Sequence, residues 1–177
     1  MGMGDVFALI GAALAIALPA VGSAVGMGGV QQAAAGVISE DPKKFGKTLI
    51  LQLIPSSATL YGFVVAFLVL LNTQVMGGDG YANNEGLIIL AACLPIAIVG
   101  CIATMYQGKV CAAGVRMLAK DESLSGRALT MGVFIELFIL FALIVSILSV
   151  FGVDPSGPEI ANGYDYASTA ITNIMHK

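Results

Sequence analysis

Glu136 is the one ionisable residue between Ala128 and Gly152, in ALTMGVFIELFILFALIVSILSVFG. A stretch of that length crosses a bilayer as a single helix. The glutamate lies eight residues into it, about 12 Å from its start at the helical rise. A bare carboxylate at that depth costs several kcal/mol and must be protonated, paired or bound to a cation. Taking up an ion and releasing it again is therefore the chemistry this residue can perform. The plainer reading is a neutral glutamate that hydrogen-bonds a neighbouring helix. Intramembrane ionisable groups more often mark an ion or substrate pathway, so Glu136 is read as an ion carrier.

Other polar groups fall at the same depth. Gln107 precedes the turn centred on Glu122 by fifteen residues, and Glu136 follows it by fourteen. Both lie about 21–22 Å from that turn and can meet at one level. A glutamine offers a carboxyl group either an acceptor oxygen or an NH₂ donor. Counted from a first turn near Pro42, Pro55, Ser56 and Ser57 fall at about 20–22 Å. Pro55 cannot donate to Leu51, which frees a backbone carbonyl in mid-span. Ser56, Ser57, Thr59 and Tyr61 cluster beside it. Such groups are tolerated at depth when they face protein or a bound ion. Equally, the hydroxyls could bond back to their own turn in a kinked helix.

These residues need membrane-spanning helices to hold them. The chain of 177 residues is 58% hydrophobic and 11% charged, with mean hydropathy +0.92, which is too apolar for a soluble domain of this size. The expected fold is an all-α integral membrane protein, four helices arranged as two tandem hairpins. Residues 6–72 form the first hairpin, which lacks a carboxylate, and 73–85 an extracytoplasmic loop. Residues 86–152 form the second, ion-carrying hairpin, and 153–177 a polar tail with the single histidine, His176, expected in solvent. The N-terminus lacks the positive region of a signal peptide, so the first apolar stretch is kept as a mature helix. That stretch carries small residues at Gly11, Ala15, Gly22, Gly26, Gly29 and Ala33 in steps of mostly three and four. Gly22, Gly26 and Gly29 on one stripe would let another backbone approach closely. Pro19 is a candidate bend.

The two hairpins resemble each other. AAAGVISEDPKKFGKTL (33–49) aligns with CAAGVRMLAKDESLSGRAL (111–129), offset by 78 before the turn and 80 after it. Gly29 is thereby paired with Gln107 and Ser56 with Glu136, so one hairpin carries the chemistry and its twin keeps the packing. Seven of the eight basic residues flank the two short turns, 39–46 and 119–126. The positive-inside rule places those turns in the cytoplasm and both termini outside. Cys93, Cys101 and Cys111 share one segment without CxxC spacing and read as small apolar residues rather than metal ligands. No basic run suggests nucleic acid, and no GxxxxGK[ST] suggests a nucleotide site.

LILQLIPSSATLYGF, YQGKVCAAG and the isolated Glu136 resemble the duplicated proteolipid, subunit K, of prokaryotic V-type (archaeal-type) rotary ATPases. The resemblance covers about Val6 to Val150. It implies a homo-oligomeric rotor ring with the glycine-rich helices inside, in the prokaryotic cell membrane. The implied subunit is non-catalytic, works within an ATP-hydrolysing or ATP-synthesising complex, and needs no cofactor. Implied partners are identical subunits, a stator subunit supplying a positive charge, membrane lipid, and a central-stalk subunit at the two cytoplasmic turns. It matches Glu136 to the essential carboxylate and Gln107 to its amide partner. The sodium-binding positions of the family read Ile54 (carbonyl), Ser57 (hydroxyl) and Ala58 here, so the second glutamine of that shell is absent.

Sodium needs several oxygens in place of its water shell, and Glu136, Gln107, Ser57 and Ile54 supply only part of one; Thr59 or a trapped water would have to complete it. A proton needs Glu136 and one or two hydrogen-bond partners, for which Gln107 and Tyr61 are candidates. The sequence thus favours protons as cargo, with sodium the alternative. A self-contained four-helix channel or transporter is the rival function, but only one repeat carries charge and the loops offer no gate. A purely structural assembly protein leaves Glu136 and Gln107 without purpose.

Overall fold

The computed structural model describes residues 2–153, all of whose regular elements are helical. The polar tail, with His176, lies outside the described residues. Helix α1 spans Met3–Glu40, α2 Phe45–Leu53, α3 Ser57–Asn72, α4 Asn83–Lys120 and α5 Ser125–Phe151. Four units are long and apolar enough to cross a membrane: Met3–Glu40, Pro42–Asn72, Asn83–Lys120 and Glu122–Phe151. The second unit comprises α2, a 3₁₀ turn at Ile54–Ser56, and α3.

Three prolines sit inside these spans, and the chain treats them differently. Helix α1 runs unbroken through Pro19 and α4 through Pro95. At Pro55 the α-helix gives way to the 3₁₀ turn Ile54–Ser56. Beside it, Ser56 Oγ donates to Leu53 O at 2.6 Å and Ser57 Oγ to Ile54 O at 3.0 Å. Both serines therefore bond back to their own turn. Thr59 instead crosses to α1, where its hydroxyl donates to Ser23 Oγ at 2.8 Å.

Helices α1 and α4 run parallel in contact along their length, and glycine sets their separation. A Cβ added to Gly11 would meet the Leu90 backbone at 2.9 Å, and one on Gly26 the Thr104 carbonyl at 2.6 Å. Gly22 faces Cys101 and Gly108 faces Gly26, each against backbone atoms. The facing pairs differ by about 80 in number, the same spacing as the duplication, so equivalent stretches of the two repeats lie side by side. The small-residue stripe departs from expectation at Gly29, which opens onto empty space. A straight stripe drifts around a helix of 3.6 residues per turn, so the buried face passes from Gly26 to Val30 and Ala34 instead. Gly29 plays no part in packing within the protomer.

Each parallel helix then takes an antiparallel partner. Helix α3 packs on α1 through Gly62, which sits against the Ala15 carbonyl. Helix α5 packs on α4, where Ser146 Oγ accepts from the Ile96 N–H at 3.2 Å. The buried apolar side chains fall into two clusters. One surrounds Val65, Ile89, Ile96 and Ile139, the other Val30, Leu51, Val115 and Leu118.

The two ends of the bundle are tied differently. At the end expected in the cytoplasm, Lys47 Nζ pairs with Glu122 Oε2 at 2.5 Å and Lys44 Nζ donates to Ala119 O at 3.0 Å, joining the two turns. The Ser123 N–H, 2.8 Å from Asp121 Oδ1, holds that carboxyl below the usual range. At the other end, buried Asp5 accepts from the Tyr81 N–H at 3.0 Å and from Gly2 N at 3.2 Å. Glu85 accepts from Ala82 N at 2.9 Å. These carboxylates cap the N-termini of α1 and α4, where the helix dipole favours negative charge. Burial pushes the Tyr81 phenol up.

Candidate functional site

Four elements meet at the level of Glu136. Helix α5 supplies Glu136 and, one turn earlier, Gly132; α4 supplies Gln107 and Cys111. The 3₁₀ turn supplies Ile54, and α3 supplies Ser57 and Tyr61. The interruption at Pro55 matters here because it places Ile54 and Ser57 at the junction of two helical pieces, opposite α5. Ile54 reaches the space beside Gly132: a Cβ there would meet Ile54 Cδ1 at 3.4 Å and Cys111 Sγ at 3.0 Å.

Gln107 is fully buried, and its amide orientation follows from its neighbours. Nε2 donates to Glu136 Oε2 at 2.7 Å and to the Gly132 carbonyl at 3.3 Å. Both partners are acceptors, so the amide's two N–H bonds are spent on them. A flipped amide would set oxygen against two oxygens. The Tyr61 phenol lies within reach of both the Glu136 carboxyl group and the Ser57 hydroxyl. The sequence-derived residues Glu136, Gln107, Tyr61, Ser57 and Ile54 are thus brought together, while Ser56 and Thr59 turn elsewhere.

Two oxygens at this point stand buried without a hydrogen-bond partner among the described residues: Gln107 Oε1 and Glu136 Oε1. Orphaned buried acceptors are costly, and a pair of them beside one carboxyl group invites a proton or a cation. The Ser57 hydroxyl has given its hydrogen to Ile54 O but keeps lone pairs, whereas Ile54 O already accepts from both the Ser57 N–H and the Ser57 hydroxyl. Ala58, next to Ser57, is fully buried and offers no polar side-chain atom. Among the described residues no group of three or more His, Cys, Asp or Glu side chains could hold a metal.

Gly132 and Cys111 were not anticipated from sequence. The available signal was positional: Gly132 stands one turn before the carboxylate, and Cys111 one turn after the amide on α4.

The chain matches the model of the ATP synthase subunit-C family twice, over residues 10–69 and 90–149. The two matched segments begin and end 80 residues apart, as expected for a duplication. It is 39% identical over 147 residues to the V-type sodium ATPase subunit K of Enterococcus hirae, covering 83% of this chain and 92% of that one. It is 33% identical over 144 residues to the A-type ATP synthase subunit K of Methanocaldococcus jannaschii, covering 81% of this chain and 61% of that protein. The 16 kDa proteolipid of the V-type proton ATPase of Ovis aries is 28% identical over 142 residues, or 80% of this chain and 89% of that one.

Proposed function

Because the chain belongs to the ATP synthase subunit-C family in duplicated form, we propose that it is the rotor-ring subunit of a V-type or A-type rotary ATPase, with Glu136 as the carrier of the transported ion. The observation that carries this reading is the Gln107–Glu136 pair, 2.7 Å between Nε2 and Oε2, with one unpartnered oxygen left on each residue. The subunit has no catalytic role of its own; its partners are identical subunits, a stator subunit, and a central-stalk subunit at the joined turns 39–46 and 119–126. Each Glu136 faces lipid only when neutral. A positive charge on the stator pairs with the bare carboxylate and draws the ion off into an aqueous path, and reloading from the opposite side restores neutrality. Rotation in one direction thus moves ions across the membrane.

The cargo is the proton. A proton on Glu136 Oε1 makes that oxygen a donor, and Gln107 Oε1 is the unused acceptor of the adjoining amide. The acid and amide can then close a ring of two hydrogen bonds, which satisfies both orphaned oxygens with one ion. Sodium would meet the same two oxygens plus Ser57 Oγ and Ile54 O. Its shell stays short, because Ala58 contributes nothing and Thr59 is engaged with Ser23. The relative from E. hirae is named a sodium ATPase subunit, so the test must separate the two ions. A carbodiimide attacks the protonated carboxyl group. In the purified complex at fixed pH, Glu136 should be labelled equally in sodium and potassium. Protection by low-millimolar sodium, and none by potassium, would overturn the proton; labelling that bypasses Glu136 would overturn the carrier.

Topology follows from the basic turns. In a background lacking Cys93, Cys101 and Cys111, Lys43→Cys and Ser123→Cys should react with an impermeant maleimide only from the cytoplasmic side. Asp79→Cys should react only from outside. The reverse pattern would invert the direction of transport.

A further inference from the structure

Helix α3 carries two residues of the site, Ser57 and Tyr61, and it begins just after the interruption at Pro55. The 3₁₀ turn breaks the regular ladder between α2 and α3, so α2 alone does not fix how α3 is rotated about its axis. That rotation matters to the site. Side chains reach about 5–6 Å from a helix axis, so a turn of roughly 10° moves their tips by about 1 Å. A shift of that size takes a hydrogen bond out of range.

One directional contact holds α3 from its far side. Thr59 lies two residues after Ser57 and two before Tyr61, about 200° around the helix from each. Its hydroxyl donates to Ser23 Oγ on α1 at 2.8 Å, and Ser23 is buried. Apart from the groups around Glu136, these are the only side chains bonded to each other in mid-membrane among the described residues. Nearly one turn further along, Gly62 sits against the Ala15 carbonyl, which Pro19 leaves without its helical donor. A glycine there sets the distance between the helices, but with no side chain it resists rotation little.

The duplicated twin shows that close packing does not call for hydroxyls at this place. The matching positions of the second hairpin are Cys101, offset by 78 from Ser23, and Ile139, offset by 80 from Thr59. Ile139 is fully buried, so an apolar side chain fills the equivalent position. Hydroxyls in mid-membrane carry a desolvation cost that valine and alanine avoid. What the bonded pair adds is direction.

We propose that Thr59 and Ser23 are positioning residues of the ion site, their bond holding α3 in the rotation that turns the Tyr61 phenol toward Glu136. The proposal rests on Glu136 as the carrier. Tyr61 lies within reach of that carboxyl group, and a phenol donating to a carboxylate favours its charged form. With α3 free to turn, that donor is lost part of the time and Glu136 is protonated more often.

The test is the rate of carbodiimide labelling at Glu136 in the purified assembled protein, at one fixed pH, followed by mass spectrometry. Thr59→Val keeps the shape and loses the bond, and it should be labelled about threefold faster, as expected where a hydrogen bond to a charged group is weakened. Ser23→Ala should do the same. Thr59→Ser, which keeps the hydroxyl, should be labelled at the wild-type rate. Tyr61→Phe should also be faster, and adding Thr59→Val to it should change nothing more, because the threonine acts through the phenol. Wild-type rates in Thr59→Val and Ser23→Ala overturn the proposal. So does a Thr59→Val effect that persists in full on top of Tyr61→Phe, which would mark a general loosening of the bundle. Should Thr59→Val fail to assemble, Ser23→Ala in the same two backgrounds decides; failure of both to assemble makes the pair structural and overturns the proposal as well. Each of these outcomes presumes labelling at Glu136 in the wild type, whose absence would instead sink the carrier itself.

Discussion

Glu136→Gln should bring coupled ion transport to background while the protein still folds and assembles. The amide has nearly the size of the acid and no charge, so it can face lipid with no ion bound. Relative to the ion-free carboxylate it should also improve the local hydrogen bonding. Its oxygen can accept from Gln107 Nε2 as Glu136 Oε2 does now. Its NH₂ then faces the space where Gln107 Oε1 lacks a partner, and making that bond is worth about 1 kcal/mol. The variant should therefore be at least as heat-stable as the wild type, yet inert. Transport is read as ATP-driven ion uptake in vesicles containing the whole complex, and assembly as the size of the solubilised ring. Residual coupled uptake would end the assignment of Glu136 as carrier. Loss of assembly together with transport would make the residue structural.

The sequence exposed the site more readily than the packing, for a physical reason. A charge inside an apolar run has few explanations, so Glu136 stood out alone, and counting helical rise from the turns brought Gln107, Ser57 and Tyr61 to its level. The duplication was legible because turn residues tolerate little change, and KKFGKTL still resembles the segment through Gly126-Arg-Ala-Leu. What stayed hidden depended on rotation about a helix axis rather than on depth. A stripe in steps of three and four included Gly29, whereas the true contact face drifts to Val30, and only the partner helix decides between them. The same holds for hydroxyls. Ser57 and Thr59 are two residues apart and so point to different neighbours, one toward the site and one to Ser23 on α1. Gly132 could not be recognised because its contribution is a backbone carbonyl, which every residue owns.

Gly108 is where chemistry and packing meet, and Gly108→Val should be among the most damaging apolar substitutions in the described helices. A Cβ at this position would fall within 3.0 Å of Gly26 Cα, carbonyl carbon and carbonyl oxygen, all backbone atoms that cannot rotate aside. Relief requires α1 and α4 to separate. Their separation would disturb Gln107, the adjacent residue on α4, and with it the bond to Glu136. Overpacking a core by a methylene or two costs about 1–3 kcal/mol, and a clash with backbone along the central helix pair belongs at or above the top of that range. Helix propensity does not confuse the result, since glycine is the poorer helix former and valine within roughly 0.5 kcal/mol of it on the favourable side. Gly36→Val supplies the control, because a Cβ there meets nothing within 4 Å. Expressed side by side, Gly108→Val should yield little folded protein in mild detergent and a lowered melting temperature for whatever is recovered. Gly36→Val should behave as the wild type in both respects. Equal yields and equal melting of the two variants would mean that the α1–α4 contact is looser than its backbone separations indicate. The close approach would then lose its place as the frame that positions Gln107.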